Sequence, residues 1–95
     1  MMDRINIYDL EPGTYQHYRG DTYVVVDVLT HLDNPTTGKM ERLTDPLVVY
    51  RDLQPPIEHL NGKAQPVHNR YGKKLSEFTG MVHHNGKQVK RFKPL

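Results

Sequence analysis

The residues richest in chemistry are His17-Tyr18-Arg19, which close an alternating run from Gly13 to Gln16 and lead into Gly20-Asp21. A turn that only reverses the chain needs Gly, Asn or Asp, so an imidazole, a phenol and a guanidinium beside it exceed what folding asks. Guanidinium forks suit phosphate or carboxylate, and Tyr and His planes stack on a base. Tyr50-Arg51 repeats the pairing downstream. At the strand ends of an antiparallel sheet, Arg19 and Arg51 can converge on one anionic group. The competing reading makes Tyr18 and Tyr50 core aromatics with wet hydroxyls and pairs Arg19 with Asp21 or Asp52.

A second concentration of charge lies at the carboxy-terminal end. Residues 1–69 carry six Lys or Arg against ten Asp or Glu, whereas residues 70–95 carry seven against Glu77 alone. Lys87, Lys90, Arg91 and Lys93 therefore form a candidate nucleic-acid-binding patch. The same cations also suit a solvated hairpin whose lysines blunt an exposed strand edge. No aromatic is interleaved from Lys87 to Arg91, which weakens the nucleic-acid reading.

Several chemistries find no support. With no cysteine, disulfides, thiol nucleophiles and cysteine-ligated zinc are excluded. Six histidines offer metal ligands, but His83 and His84 are strand neighbours that leave opposite faces. His17 and His31 could meet across paired strands with Asp27 nearby, but no metal-binding motif supports this, so no metal and no cofactor is expected. Ser76 is the single serine and has no nucleophile-elbow context, and phosphate-binding glycine loops are absent. A non-enzymatic protein is expected.

These residues need a scaffold. Ninety-five residues with 36% hydrophobic content and a mean hydropathy of −0.74 predict one domain with a thin core and long polar loops. The start, Met-Met-Asp-Arg-Ile-Asn, shows no apolar signal region and no run reaches membrane-spanning length, which points to the cytoplasm of a bacterium or of an infected cell. Ile5, Ile7 and Leu10 are candidate anchors. Thr14–Tyr18 reads as a strand with Tyr15 and His17 on one face. Tyr23–His31 reads as the strongest strand, with Val24, Val26 and Val28 on one face and Tyr23, Val25 and Asp27 on the other. Asp33–Gly38 is a turn cluster, and Leu47–Arg51 a buried strand. A β core over residues 12–53 is followed by a long loop insertion, 54–70, without clear period. Residues 71–95 then hold a helical turn, with Leu75 and Phe78 on one side, and a hairpin about Asn85-Gly86. The fold class is mainly β: a small SH3-like barrel, or a strongly bent antiparallel sheet of five or six strands with one short helical turn.

The order Gly-x-Tyr-x-His-Tyr-Arg-Gly-x-x-Tyr-x-Val, in the block Gly13–Val28, followed by His31 and by Leu47-Val48-Val49-Tyr50-Arg51-x-Leu53, resembles the domain of unknown function 1653 family. Leu75, Phe78 and Val82, then Asn85-Gly86-Lys87 and Arg91-Phe92, continue the resemblance. It implies an SH3-like β-barrel and no established activity. The family usually has Trp-Val-Arg-Pro where this chain has Tyr71-Gly72-Lys73-Lys74, and a short turn where this chain runs from Gln54 to Arg70. Where the family's arginine lines a site, Lys73 replaces a bidentate fork by a point charge.

The resulting expectation is a small binding module that captures or sequesters a phosphate-bearing, nucleotide-type ligand, as in phage counter-defence. Its site would comprise His17, Tyr18, Arg19, His31, Tyr50, Arg51 and Lys73. The alternative is an SH3-like barrel that engages nucleic acid or an acidic protein through Lys87, Lys90, Arg91 and Lys93. A homodimer formed through an exposed strand edge fits either.

Overall fold

The computed structural model describes residues 10–95. Strands β1 (Gly13–His17), β2 (Thr22–Asn34) and β3 (Lys39–Asp52) follow one another as antiparallel neighbours. A separate hairpin of β4 (Ile57–Leu60) and β5 (Lys63–Pro66) precedes β6 (Arg70–Lys74), which returns to β3. One helical turn, α1 (Leu75–Phe78), leads into a second separate hairpin of β7 (Met81–His84) and β8 (Lys87–Lys90). The last strand, β9 (Phe92–Pro94), lies against β1. The main sheet has the order β6-β3-β2-β1-β9, all antiparallel, and curls strongly into a half-barrel. The expected bent sheet with one short helical turn is what forms.

The inner face of the curl holds the core: Leu10, Tyr15, Val25, Val48, Tyr50, Phe78 and Phe92, with Tyr23, Val28, Tyr71 and Leu75 packed against it. Four of the seven buried residues are aromatic, so ring packing carries much of the cohesion. Phe78 and Phe92 stack at 4.1 Å and 7° between planes, and Tyr15 meets Phe78 edge-on at 5.3 Å. Of the anchors expected near the amino terminus, Leu10 is buried, while Ile5 and Ile7 lie outside the described residues.

The strict alternation expected for Val24–Val28 does not hold. The β2–β3 register shifts between Val25 and Asp27, so one residue is passed over and the phase inverts. Val25 faces Tyr50 and Val28 faces Val48, so an odd and an even position both point inward. A second shift between Leu29 and His31 marks where the β2–β3 ribbon leaves the core.

Three local devices shape the rest. α1 begins at Lys74 with no cap from its own segment; Asp45, from β3, instead accepts the Ser76 backbone N–H at 3.1 Å and the Ser76 hydroxyl at 2.5 Å. Asn85 (φ 54) and Gly86 (φ 75) form the tight turn expected between β7 and β8. Asn61 (φ 52) and Gly62 (φ 77) repeat that geometry inside the stretch read as a long loop, which is why a hairpin forms there. Every residue of β4 and β5 is exposed. The 16.1 Å radius of gyration exceeds the roughly 12 Å of a compact chain this long, in keeping with an exposed β4–β5 hairpin.

Candidate functional site

A groove of about 550 Å³ opens where the β1–β2 turn meets the β7–β8 hairpin. Its walls are Gln16, His17, Tyr18, Arg19 and Gly20 on one side and Met81, His84, Gln88, Val89 and Lys90 on the other, with Lys93 of β9 at the rim. Arg91 joins the two walls. Its backbone N–H donates to the Gly80 carbonyl (3.0 Å), its carbonyl accepts the Tyr18 N–H (3.0 Å), and its Nε donates to the Glu77 carbonyl at the end of α1 (3.0 Å).

Rings line the groove floor in sequence. Phe92, in the core beneath, meets His17 edge-on at 5.0 Å, His17 lies 4.4 Å from Tyr18, and Tyr18 meets His84 at 5.2 Å. The Arg19 guanidinium sits 5.4 Å over the Tyr18 ring and its Nε donates to the Tyr18 hydroxyl at 3.2 Å. That contact holds the side chain over the ring without neutralising its charge.

His17 has a fixed role in this frame. The Arg19 backbone N–H donates to His17 Nδ1 at 3.2 Å, so Nδ1 is the acceptor and the neutral ring carries its proton on Nε2. Partial burial, followed by the charges of Arg19, Arg91 and Lys73, lowers its pKa below the ordinary value, and Asp21 opposes this only as the smallest effect. Four cationic or ionisable donors thus share one neighbourhood with a single weak counter-charge.

The expected site residues separate into groups. His17, Tyr18 and Arg19 line the groove, and Lys73, half-buried opposite Val48, reaches it through its charge on His17. Tyr50 is buried in the core, where it contacts Tyr23, Tyr71, Phe78 and Phe92. Arg51 sits opposite Arg70 and Val24 on the sheet, and His31 sits opposite Arg42 with Nδ1 2.7 Å from the Thr30 hydroxyl. Neither lines the groove. Lys90 and Lys93, placed by sequence in the alternative nucleic-acid patch, line the same groove as Arg19, while Lys87 lies at the hairpin tip. His84, Gln88, Gln16 and Met81 were not anticipated; the Asn85-Gly86 turn placed His84 opposite Lys87, but no sequence signal set it against Tyr18.

A second, polar recess is lined by Gly20, Asp21, Thr22, Tyr23, Asp52, Gln54 and Tyr71. The Tyr71 hydroxyl donates to Asp52 Oδ2 at 3.0 Å. This bond to a carboxylate raises the Tyr71 pKa, and burial raises those of Tyr23 and Tyr50, so all three phenols stay protonated donors. Among the described residues no group of three or more His, Asp or Glu assembles for a metal ion, and no helix is long and apolar enough to cross a membrane.

A curled five-stranded antiparallel sheet with an aromatic, cation-lined groove at one end defines a small, mostly β protein of half-barrel type. The chain belongs to the family described as protein of unknown function (DUF1653), whose profile matches residues 13–94. No curated protein and no solved structure matches it.

Proposed function

We propose that this protein is a non-enzymatic binding module whose groove captures a phosphate-bearing, ring-containing small molecule of nucleotide type. The observation that carries this reading is the meeting of Arg19, Lys90 and Lys93 with the ring planes of His17, Tyr18 and His84 in one open groove. Stacking of a base on such rings is worth about 1–3 kcal/mol. A charge-assisted hydrogen bond adds about 1.5–3 kcal/mol. The Nε2–H of His17 and the amides of Gln16 and Gln88 supply neutral donors for sugar or base edges. Capture without turnover fits sequestration in a cytoplasm, including that of a phage-infected cell.

Calorimetry over mononucleotides, cyclic dinucleotides and ADP-ribose derivatives tests the reading. One class binds at micromolar or better affinity, and Tyr18→Ala and Lys90→Ala each weaken it about tenfold or more. Failure of every compound to bind more tightly than millimolar overturns it. A second reading is favoured by Lys90 and Lys93, since a groove open to the surface also admits a nucleic-acid strand. It predicts salt-sensitive gel retardation of single-stranded RNA or DNA, lost when Lys87, Lys90, Arg91 and Lys93 are replaced together.

A further inference from the structure

The outer face of the sheet carries an arrangement that the groove does not use. Thr14, Val24, Arg51 and Arg70 form one row across β1, β2, β3 and β6, and their register places Arg51 and Arg70 directly opposite each other. Directly opposed strand residues have Cβ atoms about 4.5–5.5 Å apart, and like charges there are destabilising. A fold normally answers such a pair with a carboxylate. Among the described residues neither arginine makes an ion pair: Arg51 Nη1 donates only to the Asp52 carbonyl at 3.1 Å. The nearest acid in sequence, Asp52, points to the inner face, where the Tyr71 hydroxyl holds its carboxylate. Asp52 is thereby withdrawn from the pair, and Asp27, opposite Val49 in the next outward row, makes no ion pair with either arginine and accepts the Val28 N–H on Oδ1 at 2.7 Å.

Space beside the pair is open. Gly72 follows Arg70 on the same face, and a Cβ built there meets nothing within 4 Å. Half-buried Val24 and Val49 form the floor. Two guanidinium groups at strand spacing, over open backbone, match the geometry in which forked donors clamp one oxyanion. We propose that Arg51 and Arg70 form a second anion site on the outer face, which takes a phosphoryl group. It is independent of the groove and does not rest on the function proposed for it.

The test is an NMR titration of the intact protein with inorganic pyrophosphate at low ionic strength, reading arginine Nε–H and backbone amide signals. The Arg51 and Arg70 Nε–H signals and the Gly72 amide shift together and saturate. Arg70→Gln and Arg51→Gln each abolish that set while signals from His84 and Lys90 respond as before. Uridine monophosphate and a short oligouridylate, run in parallel, separate a free phosphomonoester from a backbone diester as the natural source. Absence of a saturable shift at about 10 mM pyrophosphate overturns the proposal. Thermal unfolding supplies a second arm, because relief of repulsion alone stabilises Arg70→Gln whether or not anion is present. Pyrophosphate raises the wild-type Tm more than that of Arg70→Gln, which keeps only the groove's share; an equal rise in both also overturns the site.

Discussion

Gly80 connects the fold to the groove, and its replacement by alanine is the sharpest test of that connection. A Cβ at Gly80 falls 2.8 Å from the Ser76 carbonyl oxygen and 3.6 Å from that of Glu77. Real Cβ atoms do not come so near backbone oxygen, and a carbonyl in a helical turn is not a flexible neighbour. The Gly80 segment must move, and overpacking of this kind costs about 1–3 kcal/mol. For a chain of this length each kcal/mol lowers Tm by roughly 4–8 °C. The displacement also reaches the groove, because the Gly80 carbonyl accepts the Arg91 N–H and the Arg91 carbonyl accepts the Tyr18 N–H. Gly80→Ala is therefore expected to lower Tm in differential scanning calorimetry and to speed hydrogen exchange at the Arg91 and Tyr18 amides. Gly72→Ala is the control: the added Cβ meets nothing and its φ lies outside the left-handed region. Restricting the unfolded chain there stabilises by about 0.4–1 kcal/mol. A Gly80→Ala protein with wild-type Tm and unchanged exchange at Tyr18 would refute the argument.

Protonation of His17 gives a pH signature. Its folded pKa is lowered from 6.5, so folding favours the neutral ring, and stability is full above that value and declines as pH falls below it. Between about pH 8 and pH 5, wild type loses more Tm than His17→Gln, and an anion bound in the groove reduces that loss; equal pH slopes for the two proteins would falsify the assignment. Asp45 acts with the opposite sign, since its bonds to Ser76 lower its pKa from 3.8. Its stabilisation is present above 3.8 and lost as pH falls through the lowered value, so Asp45→Asn melts earlier at neutral pH and shows no such loss in circular dichroism melts. The exposed β4–β5 hairpin is dispensable for folding: Pro56 and Val67 are already joined by a 2.8 Å backbone bond. Replacing residues 57–66 with Asn-Gly makes a four-residue turn around that bond, and urea unfolding is expected within about 0.5 kcal/mol of wild type; a loss above about 2 kcal/mol shows that β4 and β5 pack on the core.

The sequence made some of this legible for identifiable reasons. Asn85-Gly86 has few conformational alternatives, so the β7–β8 hairpin followed from two residues. Asn61-Gly62 carries the same signal but sits among Pro55, Pro56 and Pro66 and polar residues, so periodicity offered no strands for it to join. The phase of β2 was hidden because Val24, Val25, Val26 and Val28 are apolar in both registers, and only the pairing with β3 selects Val25 and Val28. Tyr50 looked equally suited to site and core, and the register opposite Val25 and Tyr71 decides for the core. The far wall of the groove was out of reach, since Tyr18 and His84 meet only through the backbone bonds of Arg91.

Separating Arg19 from Arg51 changes what the chain can bind. One anion held by both would need them at a common end of the sheet, on one face. Arg19 instead lies in the β1–β2 turn over Tyr18, and Arg51 lies within the outer row beside Val24 and Arg70. Each arginine has its own cationic neighbours: Lys90 and Lys93 line the groove with Arg19, and Arg70 opposes Arg51. Neither set is answered by an ion pair among the described residues. Two cationic clusters, on a chain with a formal charge of only +2, leave most of the described acids on the β2–β3 ribbon and around Asp21 and Asp52. Glu11 shares a recess with Lys90, and Asp27 lies one outward row from Arg51. Charge segregated in this way costs stability through self-repulsion. Under the two proposals the half-barrel takes anions at two places, and occupancy of either then stabilises the folded state by mass action.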